Sequence, residues 1–194
     1  MGRLKEFELQ EALGKAMNVF WKKGYDKTSL KDLLTEMDIL NGSFYNTFGN
    51  KKSLFLKTLE FYGEEITAKR ANHLTTNESF KVGIRSLFED VFKCFSDKKT
   101  PRGCLLVNSL SSELLKDQEV LNFVQTEIAN FEEFFFIQLE QAVDSGELDK
   151  SINPKLTASI LVTYIQGLMK LSSLEISSSK LEKQTSHFLE VIGL

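Results

Sequence analysis

The stretch TSLKDLLTEMDILNGSFYNTF, Thr28 to Phe48, decides how this chain is read. Leu30, Leu33, Leu34 and Met37 recur at helical spacing and predict a short helix from Leu30 to Met37. Ser29, followed three residues later by Asp32, approximates a capping box with Asp in place of the usual Glu. Asp38-Ile39-Leu40-Asn41-Gly42 interrupts the pattern, and Ser43 to Phe48 makes a second short helical segment anchored by Phe44 and Phe48. Helices this short are unstable alone. Joined by a turn of about four or five residues, they follow the plan of a helix-turn-helix unit stacked on its neighbours.

The flanking sequence supplies those neighbours. Upstream, Leu9, Ala12, Leu13, Ala16, Met17 and Phe20 form an amphipathic stripe that Lys22, Lys23 and Gly24 end. Downstream, Asn50 caps a longer helix carrying Leu54, Phe55, Thr58, Leu59 and Tyr62, expected to run to about Leu74. The second short helix offers Asn41, Ser43, Tyr45, Asn46 and Thr47, hydrogen-bonding groups without a carboxylate. Lys51 and Lys52 follow it, and Lys22, Lys23, Lys27 and Lys31 precede it. A polar, acid-free face edged with lysines suits a helix inserted into the DNA major groove. The same features also fit a solvated helical hairpin whose lysines only keep it soluble. Charge is divided unevenly, with 10 Lys and Arg against 7 Asp and Glu up to Lys57, and 14 against 20 from Thr58 onward. That split is expected if only the head meets a polyanion, though it is small enough to arise by chance.

Five more helices are expected, at about Glu78–Ser96, Gly103–Leu115, Gln118–Ser145, Pro154–Glu175 and Lys180–Ile192, with Asn153 capping and Pro154 at the first helical position. No segment alternates with period two for long, and no internal repeat occurs. With 42% hydrophobic and 26% charged residues over 194 positions, disorder and a coiled-coil rod are excluded. The first twenty residues hold no apolar signal core, and the most apolar stretch, Ala158 to Leu171, is too short to cross a bilayer, so no membrane partner and a cytoplasmic location are expected. Cys94 and Cys104 lack C-x-x-C spacing, so a redox pair is the weaker reading beside two small buried hydrophobes. His73 and His187 lack carboxylate partners at ligand spacing. No catalytic, nucleotide or metal motif occurs, so neither an enzyme nor a cofactor or metal is expected.

Three segments together resemble the N-terminal domain of TetR/AcrR-type transcriptional regulators: Phe20-Trp21-Lys22-Lys23-Gly24-Tyr25, Thr28-Ser29-Leu30, and Gly42 through Leu54. The resemblance spans Leu9 to Phe61, and Arg102 to Ser109 is similar to a segment in one AcrR-like subgroup. It implies an all-α fold of about nine helices. A three-helix helix-turn-helix DNA-binding domain would occupy residues 1–52, with a linking helix at about 51–74, and an effector-binding and dimerisation domain would occupy 53–194. It further implies a repressor released from a palindromic operator by a small effector. Carried over by position, Ser43 and Asn46, with Asn41, face base edges. Tyr45 and Lys51 meet phosphates, as do Thr28 and Ser29 through hydroxyl or backbone N–H. Gly42 and Gly49 permit close approach and the turn. Two positions depart from the family pattern. Asp38 stands where a glycine is usual, and Leu40 replaces a small polar cap that Asn41 is expected to take over.

The resemblance also implies a ligand pocket, for which Cys104, Asn108, Phe131, Phe135, Tyr164 and Met169 are candidates. No Arg, Lys or His stands mid-helix as an anion counter-charge, so an apolar or aromatic effector is expected. Phe134, Phe135 and Phe136 must spread over more than one helix face, leaving core, cavity and partner open for each. A dimer follows independently of the resemblance. Leu156, Ile160, Tyr164, Leu168 and Leu171 form one apolar stripe, and Ala158, Leu161, Val162, Ile165 and Met169 cover the other side. A helix apolar on both sides is buried on both sides, one by its own domain and one by a second copy, or both in a monomer's centre. Gly167 would allow close approach, and Leu181, Phe188, Leu189 and Ile192 of the final helix would complete a four-helix interface. The rival function is a helical binding module or enzyme that no longer binds DNA.

Overall fold

The computed structural model describes residues 6–97, 100–108, 114–174 and 176–194. The centre of the expected Gly103–Leu115 helix, the last residue of the Arg102–Ser109 segment, and Glu175 lie outside the described residues. The described residues are helical, without a strand. They fall into two compact units, one taking the chain to Ile66 together with Leu105–Val124, the other Thr67–Cys104 with Gln125–Leu194. The first unit thus runs past the expected 52/53 division, through the first part of the expected linking helix to Ile66.

In the first unit, α1 (Glu6–Lys23) ends where Gly24, at φ 77°, returns its N–H to Phe20 O at 2.8 Å. The capping box then opens α2 (Leu30–Met37): Asp32 N donates to Ser29 Oγ at 3.1 Å and Ser29 N to Asp32 Oδ2 at 2.9 Å. Asp38 adopts the left-handed conformation at φ 55°, which short polar side chains tolerate, so the turn forms without glycine. Next comes α3 (Asn41–Phe48), with Leu40 at its N-cap and no side-chain cap hydrogen bond. Asn41 does not take over the cap, because it is already the first helical residue. Asn50 caps α4 (Lys51–Tyr62), its Oδ1 accepting from Ser53 N at 2.8 Å. The core is aromatic and aliphatic, with Leu33, Phe44, Leu54, Phe55 and Leu59 fully buried. Phe20 meets Phe55 edge-on at 5.1 Å, and Trp21 meets Tyr62 at 5.0 Å. Phe55, Leu59 and Tyr62 are buried along the whole of α4, which is why that helix belongs with the head.

The helix expected to run to Leu74 is divided by a π-helical turn, Gly63–Thr67, before α5 (Ala68–Thr76). α5 and α6 (Phe80–Ser96) approach closely at Gly83, where an added Cβ would lie 2.6 Å from His73 O. Glu147 accepts from the N–H groups of Phe80 and Lys81 at 3.0 and 2.8 Å, satisfying the start of α6. A single turn, α7 (Leu105–Asn108), and a 3₁₀ turn (Leu114–Lys116) precede α8 (Gln118–Asp144), which begins in the first unit and continues in the second. α9 (Pro154–Ser172) opens as expected on an Asn153 cap with Pro154 in its first turn, and α10 (Ser178–Val191) follows. Of the phenylalanine cluster only Phe135 is fully buried; Phe131, Phe134 and Phe136 are half-buried.

Candidate nucleic-acid interface

The site is built on α3. Phe44 and Phe48 are buried, so the helix has one possible outward face. That face exposes Asn41, Gly42, Tyr45 and Asn46, with Ser43 and Thr47 half-buried at its margins. The first turn of α3 holds no acidic residue, so nothing there opposes a polyanion. Tyr45 stands edge-on to Phe44 at 5.4 Å, which directs a half-exposed phenol outward from a fixed ring. Gly49, at φ 75°, closes α3 by donating to Tyr45 O at 3.0 Å, and its conformation is one few other residues adopt.

Lysines frame this face, and the fold sorts them. Lys51 Nζ lies 4.2 Å above the Tyr25 ring, and that ring is held by Phe20 and Phe55 at 6.0 and 5.0 Å. Lys23 Nζ pairs with Asp32 Oδ1 at 2.7 Å. That hydrogen bond, followed by those from the N–H and hydroxyl of Ser29, holds the Asp32 carboxyl well below the usual carboxylate range. Lys52 Nζ pairs with Glu119 at 2.7 Å and Asp117 at 3.0 Å. Lys22, Lys27 and Lys31 are exposed.

Thr28 and Ser29 are placed differently from the α3 residues. Thr28 is only 2% exposed; its N–H donates to Tyr25 O and its hydroxyl to Gly24 O at 2.7 Å. Both the N–H and the hydroxyl of Ser29 are engaged by Asp32. The groups expected to reach phosphate at these two positions are occupied in building the α1–α2 turn. Sequence reasoning missed the partners Tyr25, Asp117 and Glu119. Tyr25 stands in the quoted motif, but nothing local marks it as the lysine's platform, and Asp117 is 65 residues from Lys52.

The pocket candidates divide between the units: Asn108 belongs to the first, the other five to the second. Cys104, Phe135 and Met169 are buried, and Phe131 meets Phe135 at 4.9 Å. Tyr164 stacks on Phe188 at 3.8 Å and its hydroxyl bonds Thr185 Oγ1 at 2.9 Å, which places it between α9 and α10. Gln166 on α9, not singled out from the sequence, has a buried Oε1 without a hydrogen-bond partner among the described residues. Cys94 and Cys104 are both free thiols, Cys94 with the Arg70 guanidinium 3.0 Å from its sulfur.

The dimer candidates also separate. Leu156, Ile160, Gly167 and Leu171 are exposed, joined by Leu174 and Val191, which were not expected. Leu168, Leu181 and Leu189 are buried within the chain, Tyr164 and Phe188 are half-buried, and Ile192 follows the end of α10. Tyr164, Gly167, Leu168, Leu171, Leu181 and Gln184 line a shallow hollow of about 240 Å³ on this face. No group of His, Cys, Asp and Glu among the described residues is arranged to hold a metal, and no described helix is long and apolar enough to cross a membrane.

The chain is similar to known proteins in sequence and in fold. Residues 12–58 match the family described as bacterial regulatory proteins, tetR family, and residues 83–188 match the tetracyclin repressor-like C-terminal domain. The chain is 34% identical over 149 residues to YezE of Bacillus subtilis (strain 168), an uncharacterized HTH-type transcriptional regulator, covering 77% of each protein. It is 32% identical over 183 residues to the HTH-type transcriptional repressor ComR of Escherichia coli (strain K12), covering 94% of this chain and 86% of that one. Among solved structures, a cysteine mutant of the TetR family transcriptional regulator CifR, complexed with a 26 bp double-strand operator DNA, superposes with a TM-score of 0.86 at 26% identity, covering 97% of this chain and 98% of that one. The all-α fold, the outward α3 face and these matches along most of the chain agree: the protein belongs to the TetR family and is a DNA-binding transcriptional regulator.

Proposed function

We propose that this chain is a cytoplasmic, homodimeric repressor that leaves a near-palindromic operator when a small apolar or aromatic effector binds. The carrying observation is the α3 face, which exposes Asn41, Tyr45 and Asn46, with Ser43 at its margin, over buried Phe44 and Phe48. Asn41, Ser43 and Asn46 are read as meeting base edges, and Tyr45 and Lys51 as meeting phosphates. In this reading Thr28 and Ser29 act by fixing the turn that presents α2 and α3. The relative ComR is named a repressor, which supports the same sense of regulation here. The exposed apolar face of α9 supports the dimer, because Leu156, Ile160 and Leu171 lie together on the side its own chain leaves uncovered. A two-fold axis would set two α3 helices about 34 Å apart, one turn of DNA.

The effector is read as apolar or aromatic because the candidate residues Phe131, Phe135 and Met169 are themselves apolar, with Cys104, Asn108 and Tyr164 as further candidates. Release requires the effector to bind the DNA-incompetent state more tightly; equal affinity for both states shifts nothing. The test is a mobility shift with the DNA upstream of the chain's own reading frame. Binding there, competed by the same unlabelled fragment and not by random DNA, supports the reading. Equal binding to both sequences refutes an operator, and no binding to either leaves the rival module or enzyme.

A further inference from the structure

Two neighbouring lysines, Lys51 and Lys52, open α4. Lys51 rests on the Tyr25 ring beside the end of α3. Lys52 is about one residue's rotation away, roughly 100° around the helix. Its Nζ closes a triad with Glu119 Oε2 at 2.7 Å and Asp117 Oδ2 at 3.0 Å. All three residues belong to the first compact unit. Asp117 is itself fixed, since its other oxygen accepts from the N–H groups of Glu119 and Val120 at 3.1 and 3.3 Å at the start of α8. A lysine paired with such a carboxylate grips a placed partner, unlike Lys15 and Glu11, which pair within one helix. The Lys52 side chain is only 35% exposed. Its ammonium is held above its usual range by Glu119 and then Asp117, and Asp117 is held below its own chiefly by Lys52, so this lysine and this aspartate keep opposite charges at neutral pH.

We propose that Lys52 is not a DNA contact but the positioning residue for one: its triad with Asp117 and Glu119 fixes the first turn of α4 and thereby holds Lys51 at the phosphate. The inference rests on the reading of Lys51 as a phosphate contact. Only Gly49 and Asn50 separate α3 from α4, so the orientation of that first turn sets where Lys51 stands. Two carboxylates close to the recognition unit would repel DNA if unpaired; here they are spent on Lys52.

Through-space electrostatics and positioning predict opposite signs, which makes the test decisive. Asp117→Asn with Glu119→Gln raises the net charge from −3 by two units, so charge alone would tighten DNA binding. The amide that replaces the Asp117 carboxylate would keep an acceptor for the α8 cap, and a thermal melt followed by circular dichroism checks that the fold persists. The expected result is operator binding weaker by roughly threefold to tenfold, in line with a modest surface pair lost from each subunit, at an unchanged log–log salt slope. Lys52→Met should show the same pattern, and Lys52→Arg should retain binding. By contrast, Lys51→Ala should lower the slope by about one per subunit. Tighter or unchanged binding by the double variant overturns the proposal. A slope loss of about one per subunit for Lys52→Met also overturns it, because Lys52 would then be a phosphate contact itself. An unchanged slope for Lys51→Ala refutes the phosphate reading instead, and the positioning role falls with it.

Discussion

At the scale of single residues, neighbours on α3 and α4 are asked to do different chemistry. Asn46 can offer both an acceptor and a donor to one base, a pairing worth about 1–3 kcal/mol of discrimination. Asn46→Ala should therefore lower the ratio of operator to random-DNA affinity, whereas Lys51→Ala should weaken binding to both alike. Competition binding at two salt concentrations separates them, and equal losses on all sequences for Asn46→Ala would remove it from the base-reading set. Gly83 is a packing residue of a different kind. Its Cβ would meet His73 O at 2.6 Å and Leu74 Cα at 2.9 Å, both backbone atoms that cannot swing aside. Gly83→Ala should destabilise the fold by about 1–3 kcal/mol, read from urea denaturation. An unchanged midpoint would show that α5 and α6 can part without cost.

At the scale of elements, the two short helices are capped unequally. The α2 box is complete and reinforced by Lys23, while α3 begins on Leu40, 65% exposed and unable to accept a hydrogen bond through its side chain. Leu40 has an extended backbone, φ −76° and ψ 151°, which suits an N-cap serine. Leu40→Ser should raise stability by about 0.5–1 kcal/mol, visible as a higher melting temperature. The α2 box also sets a pH dependence. Its carboxyl is depressed in the folded chain relative to its ordinary value of 3.8, so the folded state resists protonation that the unfolded state accepts. The stabilisation is present above about pH 4 and is lost as the pH falls below that. Asp32→Asn should lose that acid dependence while showing a constant deficit at neutral pH. Melts between about pH 2.5 and 7 check it, and parallel curves for the two proteins would exclude Asp32 as the titrating group.

At the scale of the molecule, the question is which surface meets the second copy. Leu168 is a poor place to ask, since it is 3% exposed and a charge there would damage the chain's own packing. Ile160 is exposed and lies between Leu156 and Gly167 on the uncovered side of α9. Ile160→Glu should halve the sedimenting mass at micromolar concentration and weaken operator binding steeply, because one half-site alone loses the benefit of the two-fold match. An unchanged mass and affinity would move the interface off this face.

What the sequence determined by itself is local. The Ser29–Asp32 box, the Asn50 and Asn153 caps, Pro154 in its first turn, and the left-handed turn at Asp38 all depend on residues within four positions of each other. The starts of α2, α4 and α9 and the acid-free α3 face were legible for that reason. The tertiary structure decided everything that depends on distant partners. It divided the expected fourth helix at Gly63–Thr67, and it buried Leu168 while leaving Leu156 exposed on what had read as one stripe. It engaged Thr28 in a turn, and it sent Lys51 to Tyr25 but Lys52 to Asp117 and Glu119. Periodicity shows that a helix has an apolar side, but which part of that side is covered depends on the neighbour laid against it. A lysine's charge is likewise the same in any sequence, and only the fold decides whether a carboxylate brought from far along the chain has already claimed it.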